Sequence, residues 1–260
     1  MTKPPESGKQ RIMFDLSVTA AIARLVLDRP KALNAIPVAG WQDLASAADE
    51  AVRADARILI VSGVQDGAFC AGADISDFDA FQADPEARTA FRKAMRHGLD
   101  TLRDLPIPTI ALVEGACFGA GVALAMACDW RVAGPGARFA ITPAKLGIAY
   151  PQEDVHRLVS LVGVGQAARL LFGAQSIDAE EAARIGLVEV AASGDVEDAM
   201  RDLASAVIAN DPQSLRVLKR GVGLASLDIR QDDRQDRAFE SLLGSDVLSD
   251  RLAAHRARGK

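Results

Sequence analysis

The chain has 260 residues, of which 49% are hydrophobic and 25% charged, and its formal net charge is −5. That composition is enough for one substantial core, and a negative balance without a dense Lys/Arg run argues against nucleic acid as the main partner. No apolar stretch reaches the roughly 18 residues of a membrane span. The polar, proline-containing opening at residues 1–10 reads as a loose tail and not a signal peptide, so the expected location is cytoplasmic.

Apolar periodicity predicts a strand over 18–27, an amphipathic helix over 41–53 and a buried strand over 58–62. A long helical stretch follows over 84–105, and Pro106 and Pro108 end it. Residues 119–128 are almost wholly apolar yet too short for a bilayer, which predicts a buried core helix. Pro151 marks a further helix start, with Glu153 and Asp154 in its first turn. Strands and helices alternate to about residue 190. Beyond that point, apolar stripes predict helices over 196–210, 214–224 and 231–244. The pattern divides the chain into an α/β unit over 1–194 and a helical region over 195–260.

Cys70, Cys117 and Cys128 lack paired metal-ligand spacing and sit among small apolar neighbours, so they read as buried, reduced thiols, and no metal site is expected. Cys70 adjoins a segment of greater interest. Gly67-Ala68-Phe69-Cys70-Ala71-Gly72-Ala73-Asp74-Ile75 follows the strand-like Ile58-Leu59-Ile60-Val61, and Glu114-Gly115-Ala116-Cys117-Phe118-Gly119-Ala120-Gly121 follows Ile110-Ala111-Leu112-Val113. Both are small-residue turns between a strand and a helix. Backbone N–H groups at two such turns can converge on one oxygen, as in an oxyanion hole that stabilises charge on a carbonyl.

These turns, with Leu27-Asp28-Arg29-Pro30-Lys31-Ala32-Leu33-Asn34-Ala35, Cys128 through Ala133, Phe139 with Pro143 through Gly147, and Ile177 through Ala182 with Gly186-Leu187-Val188, resemble the enoyl-CoA hydratase/isomerase (crotonase) superfamily. Six segments stand in the family's order along nearly the whole chain. The resemblance implies a crotonase-like spiral of ββα units with a C-terminal helical oligomerisation region, hence a homotrimer or a dimer of trimers. It implies an acyl-CoA substrate of the kind met in fatty acid metabolism, with no cofactor beyond the substrate's own CoA. Ala71 and Ala120 N–H are the expected oxyanion donors. Lys31, Ala32 and Leu33, with Ala73, Asp74 and Ile75, are expected to line the CoA groove, and Arg29 to assist with phosphates. Asp74 is also placed to cap the helix beginning near Ile75.

The chain departs from the family's hydratases at their two catalytic glutamates. Ala123 occupies the first position and, read without gaps, Pro143 the second, and neither side chain can transfer a proton. Replacements are sought in the segment from Leu146 to Leu158. Tyr150, the chain's single tyrosine, resembles a pocket tyrosine of family decarboxylases, where it would orient a substrate carboxylate or donate a proton; a pocket-wall role is the other reading. Ala73 stands where those decarboxylases carry histidine. Glu153 and Asp154 either complement the helix dipole or supply a carboxylate whose pKa desolvation would raise toward neutrality. His156 reads as a surface or outer residue. The expected activity is a lyase or isomerase working through a thioester enolate. The alternatives are decarboxylation of a malonyl-type CoA thioester and a non-catalytic acyl-CoA binding protein.

Overall fold

The computed structural model describes residues 13–64 and 67–258; the tail expected over 1–10 lies outside them. The chain opens with β1 (Phe14–Thr19) and β2 (Ile22–Leu27), a hairpin where the apolar pattern predicts one strand over 18–27. Ala20 and Ala21 both adopt positive φ, 48° and 69°. Two such residues make the tight reversal that matches strand twist, but alanine gives no turn signal in sequence.

The next elements are α1 (Val38–Arg53), β3 (Ile58–Gly63), α2 (Phe78–Ala83) and α3 (Pro85–Arg103). The long helix expected over 84–105 therefore has a separate short helix before it. Asp84 divides the two in extended conformation, and its carboxylate accepts from the N–H groups of Glu86 and Ala87, capping α3. There follow β4 (Thr109–Val113), β5 (Ala116–Phe118), α4 (Ala120–Ala127), β6 (Trp130–Ala133) and β7 (Arg138–Ala140). Then come α5 (Gln152–Gly173), broken at Gly163, β8 (Ile177–Asp178), α6 (Ala179–Arg184) and β9 (Val190–Ala191). Four helices close the chain: α7 (Val196–Ile208), α8 (Pro212–Ser226), α9 (Asp233–Leu243) and α10 (Asp246–Arg258).

One sheet has the order β1-β2-β3-β4-β6-β9, parallel from β2 onward, and the other has the order β5-β7-β8. The ββα repeat is visible in this arrangement. After β4 the chain enters the small sheet as β5 and turns into α4; after β6 it enters as β7 before α5. After β3 it does the same through Cys70, which bridges Cys117 of β5 in parallel.

Strands β3 and β4 are buried on both faces, and their period of two sorts them into two cores. Leu59, Val61, Ala111 and Val113 join the core beneath α1, α3, α4 and α5, together with Trp41, Leu44 and Leu99. Ile58, Ile60, Ile110 and Leu112 face Met200, Ala204 and Val207 of α7 on the other side. Helix α7 thus belongs to the layer covering the large sheet. Each fully buried Leu or Ile contributes roughly 1.5–3 kcal/mol, which makes these two faces the main support of the turns between them. Among the described residues, no helix is long and apolar enough to cross a membrane.

Candidate active site

Two strand-to-helix turns are brought together by the small sheet. Cys70 N donates to Ala116 O at 2.9 Å, and Phe118 N donates to Cys70 O at 2.9 Å. The chain then rises on both sides to Gly72 and Ala120. A Cβ placed on Gly72 would lie 2.9 Å from Phe118 O and 3.0 Å from Ala120 N, at a φ of +106° that side chains rarely adopt. Gly121 is equally tight, since a Cβ there would fall 2.1 Å from Cys70 O. The small residues thus allow two backbones to touch.

The first expected oxyanion donor requires correction. Ala71 N–H is occupied, donating to Leu33 O at 2.9 Å. Two residues on, Ile36 N donates to Gly72 O at 2.7 Å and Asp74 N donates to Ile36 O at 2.9 Å. Successive amides alternate in direction along an extended segment, so Ala73 N–H points away from this ladder. Among the described residues neither Ala73 N–H nor Ala120 N–H has a backbone acceptor. Ala120 is the first residue of α4, where N–H groups have no partner within the helix and the dipole favours negative charge. The available pair is therefore Ala73 and Ala120. The sequence expectation of Ala71 falls two residues short because a run of small residues does not reveal which amide the neighbouring loop uses.

That loop carries the expected CoA-contacting residues. Arg29 is held inward: its Nη1 donates to Ala35 O at 2.6 Å and to Asp74 Oδ2 at 2.9 Å. Asp74 also caps the short turn Ile75–Asp77 by accepting from Ser76 N. The hydrogen bond from the Ser76 hydroxyl, with the Arg29 guanidinium, holds the Asp74 carboxyl below its ordinary pKa. Arg29 and Asp74 thus clamp the two loops together. Lys31 is exposed and Ala32 half-buried, while Leu33 and Ile75 present apolar side chains at 54% and 64% exposure. Asn34, quoted in the first segment without a role, is fully buried with φ 57°. Its Oδ1 accepts from Arg29 N, and its Nδ2 donates to Ala68 O at 2.6 Å, joining this loop to the Gly67–Gly72 turn.

The two positions of the missing glutamates carry no ionisable group. Ala123 lies buried in the first half of α4, and Pro143 opens the short turn Pro143–Leu146. Glu153 is exposed on the first turn of α5. Asp154 beside it is only 3% exposed. Its Oδ1 accepts from Arg96 Nη1 of α3 at 2.9 Å, and its Oδ2, also buried, has no hydrogen-bond partner among the described residues. Burial pushes the Asp154 carboxyl above its ordinary pKa, and the charges of Glu153 and Asp100 push the same way; Arg96 opposes them. Arg96 shares its charge with Asp100, 3.0 Å from Nε. Arg96 lies 58 residues from Asp154, so no local pattern could have paired them.

Tyr150 packs its ring against the main core, and its hydroxyl donates to Gly119 O at 3.0 Å. Burial raises its pKa well above that of a free phenol, with the Asp154 charge adding to the rise, so it stays protonated. His156 is exposed. Cys70, Cys117 and Cys128 are free and fully buried; burial pushes Cys70 and Cys128 up to about 12 and Cys117 well up too, which leaves them unreactive thiols.

Comparison with known proteins agrees with this architecture. The family model for enoyl-CoA hydratase/isomerase matches residues 17–249. A probable mitochondrial enoyl-CoA hydratase 2 of Arabidopsis thaliana is 29% identical over 264 residues, covering 100% of this chain and 86% of its own length. A probable enoyl-CoA hydratase of Mycobacterium tuberculosis, EchA17, is 33% identical over 214 residues, covering 81% and 80%. Among solved structures, an enoyl-CoA hydratase/isomerase family protein of Hyphomonas neptunium superposes with a TM-score of 0.89 at 33% identity, covering 95% of both chains. An enoyl-CoA hydratase/carnithine racemase of Magnetospirillum magneticum also gives 0.89, at 28% identity, covering 95% of this chain and 93% of its own. With paired small-residue turns, ββα repeats and a family model spanning most of its length, the chain belongs to the enoyl-CoA hydratase/isomerase family.

Proposed function

We propose that this enzyme binds an acyl-CoA thioester with its carbonyl oxygen between Ala73 and Ala120 N–H, and that Asp154 moves the proton as charge develops on that oxygen. The observation that carries the proposal is the state of Asp154: a buried carboxylate with one oxygen fixed by Arg96, the other unpartnered, and a raised pKa. A buried carboxyl with a free oxygen and a pKa above its ordinary value is suited to proton transfer. The two amides would favour the enolate over the ground-state thioester, because their dipoles are fixed before charge appears. Leu33 and Ile75, with the backbone of Lys31, Ala32 and Ala73, would contact the CoA moiety, which enters as part of the substrate. Arg29 would serve that groove by holding Asp74.

Hydration/dehydration and double-bond isomerisation both pass through this enolate. With Ala123 and Pro143 in place of a glutamate pair, isomerisation or a hydration driven by Asp154 alone fits better than the two-carboxylate route. The commitment of Tyr150 to Gly119 O speaks against its binding the carboxylate of a malonyl-type substrate, and a buried Asp154 with one oxygen left unpartnered speaks against a purely binding role. A homotrimer or dimer of trimers is supported by the apolar side chains that α8 and α9 leave exposed, and a cytoplasmic location by the three reduced thiols.

Incubation with 2-enoyl-, 3-enoyl- and malonyl-type CoA thioesters, read by mass spectrometry, identifies the reaction. On the best substrate, Asp154→Asn is expected to lower kcat on the order of 10²- to 10⁴-fold with CoA affinity retained. Glu153→Gln, altering an exposed side chain, should keep most of its turnover. Equal turnover by Asp154→Asn and wild type would remove Asp154 from the chemistry.

A further inference from the structure

The chain's single tyrosine spends its hydroxyl proton inside the protein. Its acceptor, Gly119 O, belongs to the peptide whose other end is Ala120 N–H. That carbonyl accepts two hydrogen bonds, from Tyr150 Oη at 3.0 Å and from Val122 N at 3.0 Å, while Gly119 N is itself fixed to Ala140 O at 2.8 Å. Gly119 has φ 51° and ψ −120°, outside regular secondary structure, so the plane of the following peptide is held by the first bond of α4 and by Tyr150 together. A trans peptide is planar, with C=O and N–H pointing in opposite directions. Holding Gly119 O therefore aims Ala120 N–H. A donor on the carbonyl also polarises the same peptide, and linked hydrogen bonds strengthen one another by roughly 10–30% each.

We infer that Tyr150 is a positioning residue that acts through the Gly119 carbonyl to orient and strengthen the Ala120 N–H toward the substrate oxygen. This rests on the oxyanion reading of Ala73 and Ala120, and it assigns Tyr150 a role other than proton donor or carboxylate ligand. The phenol is suited to it. Burial and the nearby Asp154 charge keep it protonated, and the Ala123 amide facing its oxygen only partly opposes them. The ring is held by the core, so the hydroxyl stays on the carbonyl without reorganisation.

The test is the infrared band of a ¹³C-labelled thioester carbonyl in bound butyryl-CoA. In the wild type this band is expected to shift to lower frequency than in free butyryl-CoA, reporting polarisation by the two amides. Tyr150→Phe, which keeps the ring, should return part of that shift and lower kcat on the order of 10-fold with little change in KM, less than the 10²- to 10³-fold for losing a donor outright. Because the chain has one tyrosine, growth on 3-fluorotyrosine alters Tyr150 alone. Its more acidic phenol is a stronger donor and should move the band further in the wild-type direction, and this arm stands even where Tyr150→Phe folds poorly. A wild-type shift unchanged by either replacement overturns the role of Tyr150. No shift in the wild type overturns the oxyanion reading, and this inference with it.

Discussion

Asp154 is held between opposing influences: burial, Glu153 and Asp100 favour its protonated form, and Arg96 favours the charged one. If it is the base, activity rises with pH as it ionises, and the raised pKa puts that acid limb of kcat/KM above the carboxylate value of about 4. Arg96→Met removes the opposing cation, so the limb should move to still higher pH, and in Asp154→Asn it should vanish. A pH–rate profile of the three proteins checks this; a limb unmoved in Arg96→Met would show that another group titrates. Gly72→Ala probes the other half of the site. The added Cβ would crowd Phe118 O and Ala120 N, so turnover should fall by at least about 10²-fold, comparable to losing an oxyanion donor. Sequence singled out Ala120, Tyr150 and Asp154 as candidates because each stands at a strand-to-helix turn or a helix start. It could not show that Leu33 O occupies Ala71 N–H, nor that Arg96 reaches Asp154 from another helix, because both facts depend on packing between distant segments.

The elements followed the sequence where periodicity was long. Strands β3 and β4, buried helix α4 and helices α7, α8 and α9 lie close to where apolar spacing puts them, whereas the apolar stripes predict no helix at α10. It failed where short-range chemistry decided. Ala20 and Ala21 turn the hairpin in conformations usually left to Gly or Asn, and Asp84 splits α2 from α3 within a continuous helical pattern. Asp84 satisfies two otherwise unpaired N–H groups of α3, so Asp84→Ala should cost about 0.5–2 kcal/mol in denaturant unfolding. Since α3 carries Arg96, loosening its first turn is also expected to leave the distant end bearing Met95, Leu99 and Leu102 anchored on α1 and the core. A loss near zero would indicate that the two helices are set by packing alone.

At the scale of the molecule, the closing helices expose Leu218, Val222, Phe239 and Leu243, and α5 exposes Phe172 at 83%. Apolar surface of this kind favours burial against another copy. Light scattering at micromolar concentration should therefore give a trimer or a multiple of one, and a monomer would count against assembly through these faces. The paired turns, two cores and helical end are the support on which the proposed thioester site rests, whatever bond the enzyme finally makes or breaks. Exchange of the C2 protons of butyryl-CoA in D2O, followed by NMR, reads enolate formation without any later step. The wild type is expected to exchange them, and Asp154→Asn to do so at least about 10²-fold more slowly. Absence of exchange in the wild type, or equal exchange in both proteins, would contradict an enolate formed by Asp154 at this site.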